Sequence, residues 1–238
     1  MKFSVIVPAY NEQAWVGHTL RRIQRAIDVV GRDMCEMIVV DNASSDRTAE
    51  VAEENGARVV REQHRGVGRA RNKGASAATG DLLVFVDADT LVPDQLLARI
   101  REVMSQAGYI GGAVQVKYTH PRRSVRWYLA VEHVVGMLAH IARGATQFCW
   151  REVFQALGGY DANLWMNEDV DFYRRLAKYA RKNGRSIQLI DKIQVEPSTR
   201  RFDRVPLSLI IRRANPLDSW LNRKNRDMWR EWYDHPIR

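Results

Sequence analysis

The chain has 238 residues, 45% of them apolar, and 37 Lys and Arg against 28 Asp and Glu give it a formal charge of +9. That length and apolar content exclude a disordered or fibrous chain and suit one large α/β domain or two small ones. The two cysteines, Cys35 and Cys149, lie in apolar segments with no metal-ligand spacing, which excludes a disulfide framework and reads each as a small buried hydrophobe in a reducing compartment.

Met1 and Lys2 run straight into the apolar strand Phe3–Val7, which is too short for the hydrophobic stretch of a secretory signal, so a cytosolic chain is expected. Pro8 is expected to end that strand. The loop P-A-Y-N-E then leads into a helix reaching about Val30. A second strand, Met37–Val40, stops at Asp41, and N-A-S-S-D caps a helix over Arg47–Asn55. Arg58–Val60 reads as a short strand, His64–Gly68 opens a helix to about Ala78, and Gly80 and Asp81 turn into Leu82–Val86. This last run is continuously apolar and rich in β-branched and aromatic residues, as suits a strand buried on both faces of a parallel sheet. Just past it stand Asp87 and Asp89, where open α/β sheets place their ligands. Two carboxylates so close suit either a divalent cation held jointly with substrate phosphates or a solvated turn or helix cap.

After Pro93 a helix is expected to about Gln106, followed by a strand over Ile110–Tyr118. Ser124–Arg143 has a narrow polar stripe at helical spacing and reads as a helix covered on most sides. Its apolar stretch, Val125–Ala142, is broken by Arg126, Glu132, His133 and His140, so it does not read as a membrane span. Thr146–Trp150 is a strand, Arg151–Leu157 a short helix and G-G-Y-D a turn. W-M-N-E-D-V-D at Trp165–Asp171 opens an amphipathic helix, and Ile187–Ile190 and Ile193–Val195 read as two final strands. Strands alternating with helices through short connections indicate a doubly wound, mostly parallel sheet.

Several chemistries are excluded by spacing. The glycines at 66, 68 and 74 lack the third glycine of a dinucleotide fingerprint, and no G-x-x-x-x-G-K-[ST] occurs. His133 and His140 stand seven apart, without the i, i+4 geometry of a zinc pair. There is no G-x-S-x-G.

Six motifs occur in one order: V-I-V-P-A-Y-N-E at Val5–Glu12, V-V-D-N-A-S-S-D at Val39–Asp46, G-x-x-R-N-K-G at Gly68–Gly74, V-D-A-D at Val86–Asp89, G-G-Y-D at Gly158–Asp161 and N-E-D-V-D at Asn167–Asp171. Together they resemble family 2 glycosyltransferases of the GT-A fold, from Val5 to about Arg204. The resemblance implies a nucleotide-sugar donor lined by Pro8, Tyr10 and Glu12, with Asp41 on the base and Arg71 on the base or diphosphate. It implies Asp87 and Asp89 as the Asp-x-Asp pair, with Asp89 the direct ligand of Mn²⁺ or Mg²⁺, and Asp169 as the base. Many relatives add a downstream histidine, yet none lies between His140 and His235. Arg200 and Arg201 are alternative diphosphate contacts, and His235 folding back is another. The Gln-x-x-Arg-Trp signature of processive members is absent, which implies one sugar transferred per encounter.

The expected organisation is a GT-A domain over residues 1–204 and a basic, Trp-rich extension over 205–238. Residues 200–238 hold ten basic and five acidic residues, so this stretch carries +5 of the +9. Such asymmetry points to an anionic surface, and peripheral contact with the inner face of a membrane is expected, with a sugar or polyprenyl-linked acceptor and no nucleic acid. Trp165, with Trp127 and Tyr128, is a candidate acceptor platform as well as a candidate core residue. The rival readings are an inactive domain of this fold that binds membrane or RNA, and a nucleotidyltransferase.

Overall fold

The computed structural model describes residues 1–119, 146–200 and 216–229. The helix expected over Ser124–Arg143, Trp127 and Tyr128, Arg201, His235 and the boundary between 204 and 205 lie outside them. Among the described residues eight strands form one sheet in the order β3-β2-β1-β4-β7-β6-β8-β5. They are β1 Phe3–Ala9, β2 Cys35–Asp41, β3 Arg58–Arg61, β4 Leu82–Val86, β5 Thr90–Leu91, β6 Tyr109–Val116, β7 Thr146–Trp150 and β8 Ser186–Pro197. Neighbours β3-β2-β1-β4 and β6-β8 are parallel, whereas β7 runs antiparallel to β4 and β6 and β5 antiparallel to β8.

Alternation along the central strands divides the core. Phe3, Val5 and Val7 of β1 and Leu82, Val84 and Val86 of β4 pack with α1 (Val16–Val30) and α4 (Leu96–Met104). Ile6, Leu83 and Phe85 point the other way, toward α3 (Val67–Ala77), α5 (Arg151–Ala156) and α6 (Glu168–Lys182). A strand covered on both sides has no polar face, hence the unbroken apolar run of β4. Helix α3 sits very close to the sheet: a Cβ on Gly74 would come within 2.4 Å of Ile6 Cγ2. Gly74 therefore serves packing, which is a different task from cradling a phosphate.

Two expected boundaries shift for physical reasons, and one strand is new. β1 continues through Pro8 to Ala9. The Ala9 oxygen accepts from Asn42 beside β2, so alternate residues, Pro8 among them, face β4; that ladder has already ended at Ile6 opposite Phe85, and the missing proline N–H costs no bond. The two final strands are one, β8, in which the register jumps from Val114–Ile190 to Gln115–Gln194, so that Asp191 to Ile193 bulge out. β5 was not expected. It pairs Thr90 with Pro197 and brings the segment after β8 against the Asp-x-Asp turn.

Candidate active site

The loops after β1 and β2 are knitted together at the carboxyl end of the sheet. Asn11 and Ala43 adopt left-handed φ values of 51° and 61°. Ser44 Oγ accepts from the Asn11 amide at 3.0 Å, Asn11 Oδ1 accepts from the Ser45 amide at 2.8 Å, and Asp41 Oδ1 accepts from the Ser44 amide at 3.1 Å. Thr48 Oγ1 accepts from the Glu12 amide at 2.7 Å, which fixes Glu12 at the start of the turn into α1. Asn42 ties in the third loop, donating to the His64 oxygen and accepting from the Gly66 amide, each at 2.8 Å. The Arg65 guanidinium then lies 3.7 Å from the centre of the Tyr10 ring. Pro8, Tyr10, Glu12 and Asp41 thus share one rim.

Two arginines hold the carboxylates of this rim and of the β4 turn. Arg200, brought in after β8 by the Ser198 amide donating to the Asp89 oxygen at 3.0 Å, directs Nη2 at both Glu12 Oε2 and Asp89 Oδ2, the latter at 3.5 Å. Among the described residues its Nε and Nη1 are buried without a hydrogen-bond partner, an arrangement suited to receiving a further anion. Among the described residues no group of three or more His, Cys, Asp or Glu converges on a metal position. Hard carboxylates sharing one cation instead fit an ion that keeps waters and takes its other ligands from substrate phosphates.

Arg71 of α3 is only 4% exposed and bridges two elements: Nη2 donates to Asp87 Oδ1 at 2.7 Å and Nη1 to Glu168 Oε1 at 3.0 Å. Burial disfavours its charge, but the carboxylates of Asp87 and Glu168 outweigh that and hold it firmly protonated. Burial likewise raises the pKa of Asp87 and of Glu168, with Arg71 opposing in both cases. The expected donor contact at Arg71 thus lies beneath the site, with both terminal nitrogens engaged by protein carboxylates.

Helix α6 begins at Glu168, three residues later than the Trp165 opening expected from sequence, because Asn167 takes a left-handed φ of 62° and breaks the helical run. Asp169 is in its first turn, and its charge is felt by Arg71, Asp87, Tyr160 and Glu168. Of its neighbours, Glu168 pairs with Arg71 and Asp171 with Arg175 at 2.7 Å. Trp165 is half-buried, with the Arg226 guanidinium 5.2 Å from its ring.

Sequence reasoning missed Gln147 and the hydroxyl of Tyr160. Gln147, 2% exposed on β7, donates to the Asp169 main-chain oxygen at 3.0 Å and accepts from Tyr160 Oη at 2.9 Å. A glutamine in an apolar strand is the one signal that pointed to it.

The model of "Glycosyl transferase family 2" matches residues 4–170. The chain belongs to this family. Among family members, it is 37% identical over 106 residues to an undecaprenyl-phosphate 4-deoxy-4-formamido-L-arabinose transferase of Enterobacter sp., covering 42% of this chain and 32% of that protein. It is 30% identical over 132 residues to a dolichol-phosphate mannosyltransferase of Pyrococcus furiosus, covering 53% and 36%. The match thus spans about a third of the length of these relatives. Its fold is that of GT-A glycosyltransferases. The mannosyltransferase PcManGT of Pyrobaculum calidifontis, solved with GDP-Man and Mn²⁺, superposes with TM-score 0.66 at 24% identity, over 90% of this chain and 62% of that one. TarS 1-349 of S. aureus gives 0.66 at 18%, over 97% and 68%.

Proposed function

We propose that the chain is an inverting, non-processive glycosyltransferase that moves a sugar from a nucleotide-sugar donor to a hydroxyl of a lipid-linked or cell-surface glycan acceptor. The observation that carries this reading is the meeting of Glu12, Asp41, Asp87, Asp89 and Asp169 at the ends of β1, β2 and β4 and the start of α6. Pro8, Tyr10, Glu12 and Asp41 line the nucleotide. Asp89 holds Mn²⁺ or Mg²⁺, which when bound offsets charge on the departing diphosphate. Arg200 reaches the same diphosphate with Nε and Nη1, and Arg71 acts on the donor through Asp87. Asp169 takes the proton of the acceptor hydroxyl as that oxygen bonds to the anomeric carbon and the bond to diphosphate breaks. A single displacement of this kind inverts the carbon.

The names of the two relatives support a polyprenyl acceptor, and they favour one specific second reading in which the attacking oxygen belongs to a lipid phosphate. A phosphate monoester, with a second pKa of about 6, is already anionic near neutrality and has little use for a base. The two readings separate at Asp169. A nucleotidyltransferase is disfavoured because it has no use for a carboxylate at the α6 start.

Among the described residues no helix is long and apolar enough to cross a membrane. The proposed approach to a lipid acceptor is peripheral contact with the inner face of the membrane. Trp220 and Leu221, 47% and 63% exposed, with Arg223, Lys224 and Arg226 beside them, supply an apolar and cationic surface for that contact. The test of the function is transfer itself: labelled nucleotide sugars with Mn²⁺ and short-chain polyprenyl-linked acceptors. Label should enter the lipid fraction only when metal is present. Label transferred as nucleotide, or metal-independent transfer, would refute the proposal.

A further inference from the structure

We infer that Gln147 and Tyr160 are positioning residues for Asp169, an inference that rests on the base assignment above. The Asp169 main-chain oxygen can only accept, so Gln147 must turn its NH₂ toward it and its Oε1 toward Tyr160, which must then donate. The orientation of a buried amide is therefore fixed from both ends. Tyr160 is fixed in turn. Asn72 of α3 grips its main chain twice, donating to its oxygen and accepting from its amide, each at 2.8 Å. Gly159 makes room for that grip, since a Cβ there would stand 2.5 Å from Asn72 Oδ1 and its φ is +70°. The Tyr160 ring stacks on Phe172 of α6 at 4.5 Å and meets Phe85 of β4 edge-on at 5.2 Å.

The bonds close a ring. From α3, Asn72 leads through Tyr160 and Gln147 to Asp169, and Arg71, next to Asn72, leads through Glu168 back to the same helix start. Gln147 pairs across the sheet with Phe85 on β4, two residues before Asp87. The ring therefore references Asp169 to the strand that carries the Asp-x-Asp turn. Asn167, at a left-handed φ of 62°, starts the helix abruptly, so these ties act directly on its first turn. A base must lie within hydrogen-bond reach of the proton it takes, and misplacement by about 1 Å costs on the order of 100-fold in rate.

The test uses the full chain. Gln147→Met keeps the length and removes both hydrogen bonds; Tyr160→Phe removes one hydroxyl. Gln147→Met should lower kcat by about 10- to 100-fold, with nucleoside-diphosphate affinity by calorimetry and donor KM within about twofold of wild type. Tyr160→Phe should lower kcat less, and the double variant should be no worse than Gln147→Met alone, since the hydroxyl acts through the amide. An unchanged kcat in Gln147→Met, or a loss of donor affinity that matches the loss of kcat, overturns the inference. If Gln147→Met does not fold, Tyr160→Phe decides alone: a kcat equal to wild type overturns it. Asp169→Asn, assayed in parallel, separates the two claims. Activity surviving in Asp169→Asn removes the base assignment, whereas activity lost there but intact in Gln147→Met removes only the positioning role.

Discussion

The main-chain oxygen of Arg223 accepts from the amides of both Trp165, at 2.8 Å, and Met166, at 3.3 Å, which joins the C-terminal segment to the turn that leads into Asp169. The same segment is fastened by Trp229, fully buried, whose indole donates to the Asn222 oxygen at 2.9 Å. Among the described residues the tryptophans of the extension therefore divide into one that is buried, Trp229, and one, Trp220, that faces outward.

That division gives opposite predictions. Trp229→Ala should cost about 3 to 5 kcal/mol of stability in urea unfolding, the range for a buried aromatic cut to Ala, and reduce transfer by loosening the turn before Asp169. Trp220→Ala with Leu221→Ala should leave stability within about 0.5 kcal/mol and weaken flotation with anionic liposomes, an effect that high salt enhances by screening the basic residues. If Trp220→Ala with Leu221→Ala floats like wild type, the outward face is not the membrane contact.

Arg200 sets the charge of the donor site. Removing it from between Glu12 and Asp89 leaves two carboxylates without their shared cation. Arg200→Ala should thus bind Mn²⁺ alone more tightly than wild type, yet bind nucleoside diphosphate with Mn²⁺ about tenfold more weakly, the loss of one charge-assisted contact. Calorimetry with metal alone and with the nucleotide reads both. Parallel changes in the two affinities would contradict the assignment.

Glu168 gives a dependence on pH. Burial raises its pKa above the ordinary 4.5, so the folded protein binds its proton more tightly than the unfolded chain does. Its contribution to stability is complete below 4.5 and is lost as pH rises through the raised value. Glu168→Gln has no such loss. The thermal midpoint of Glu168→Gln should therefore gain on wild type as pH rises from about 4.5, the gain ending once Glu168 ionises. A gain in the opposite direction would mean that Arg71 outweighs burial.

Much of this architecture was legible because it is written in short range. The apolar runs of β1, β2 and β4 and the carboxylates that end them announce both the sheet and the edge where Asp41, Asp87 and Asp89 stand. Even the false break in β8, at the polar Asp191 and Lys192, falls within the real bulge. What escaped depends on partners far away in sequence. β5 is two residues long and exists through Thr90 and Pro197. Arg71 meets Glu168 across 97 residues, and Gln147 has no local pattern to betray that it grips the main chain of Asp169. Spacing reveals residues that share an element; it is silent on side chains that meet across the sheet.

The most direct test of the account is the turnover of Asp169→Asn beside its donor affinity, measured with a lipid-linked hydroxyl acceptor and with a polyprenyl phosphate. If Asp169 is the base, donor binding should stay within about twofold of wild type and transfer to the hydroxyl should fall by about 10² to 10⁴, the range for loss of a general base. Turnover above about a tenth of wild type, against that range, would contradict it. Such turnover seen with the phosphate alone would assign the attacking oxygen to the lipid phosphate instead.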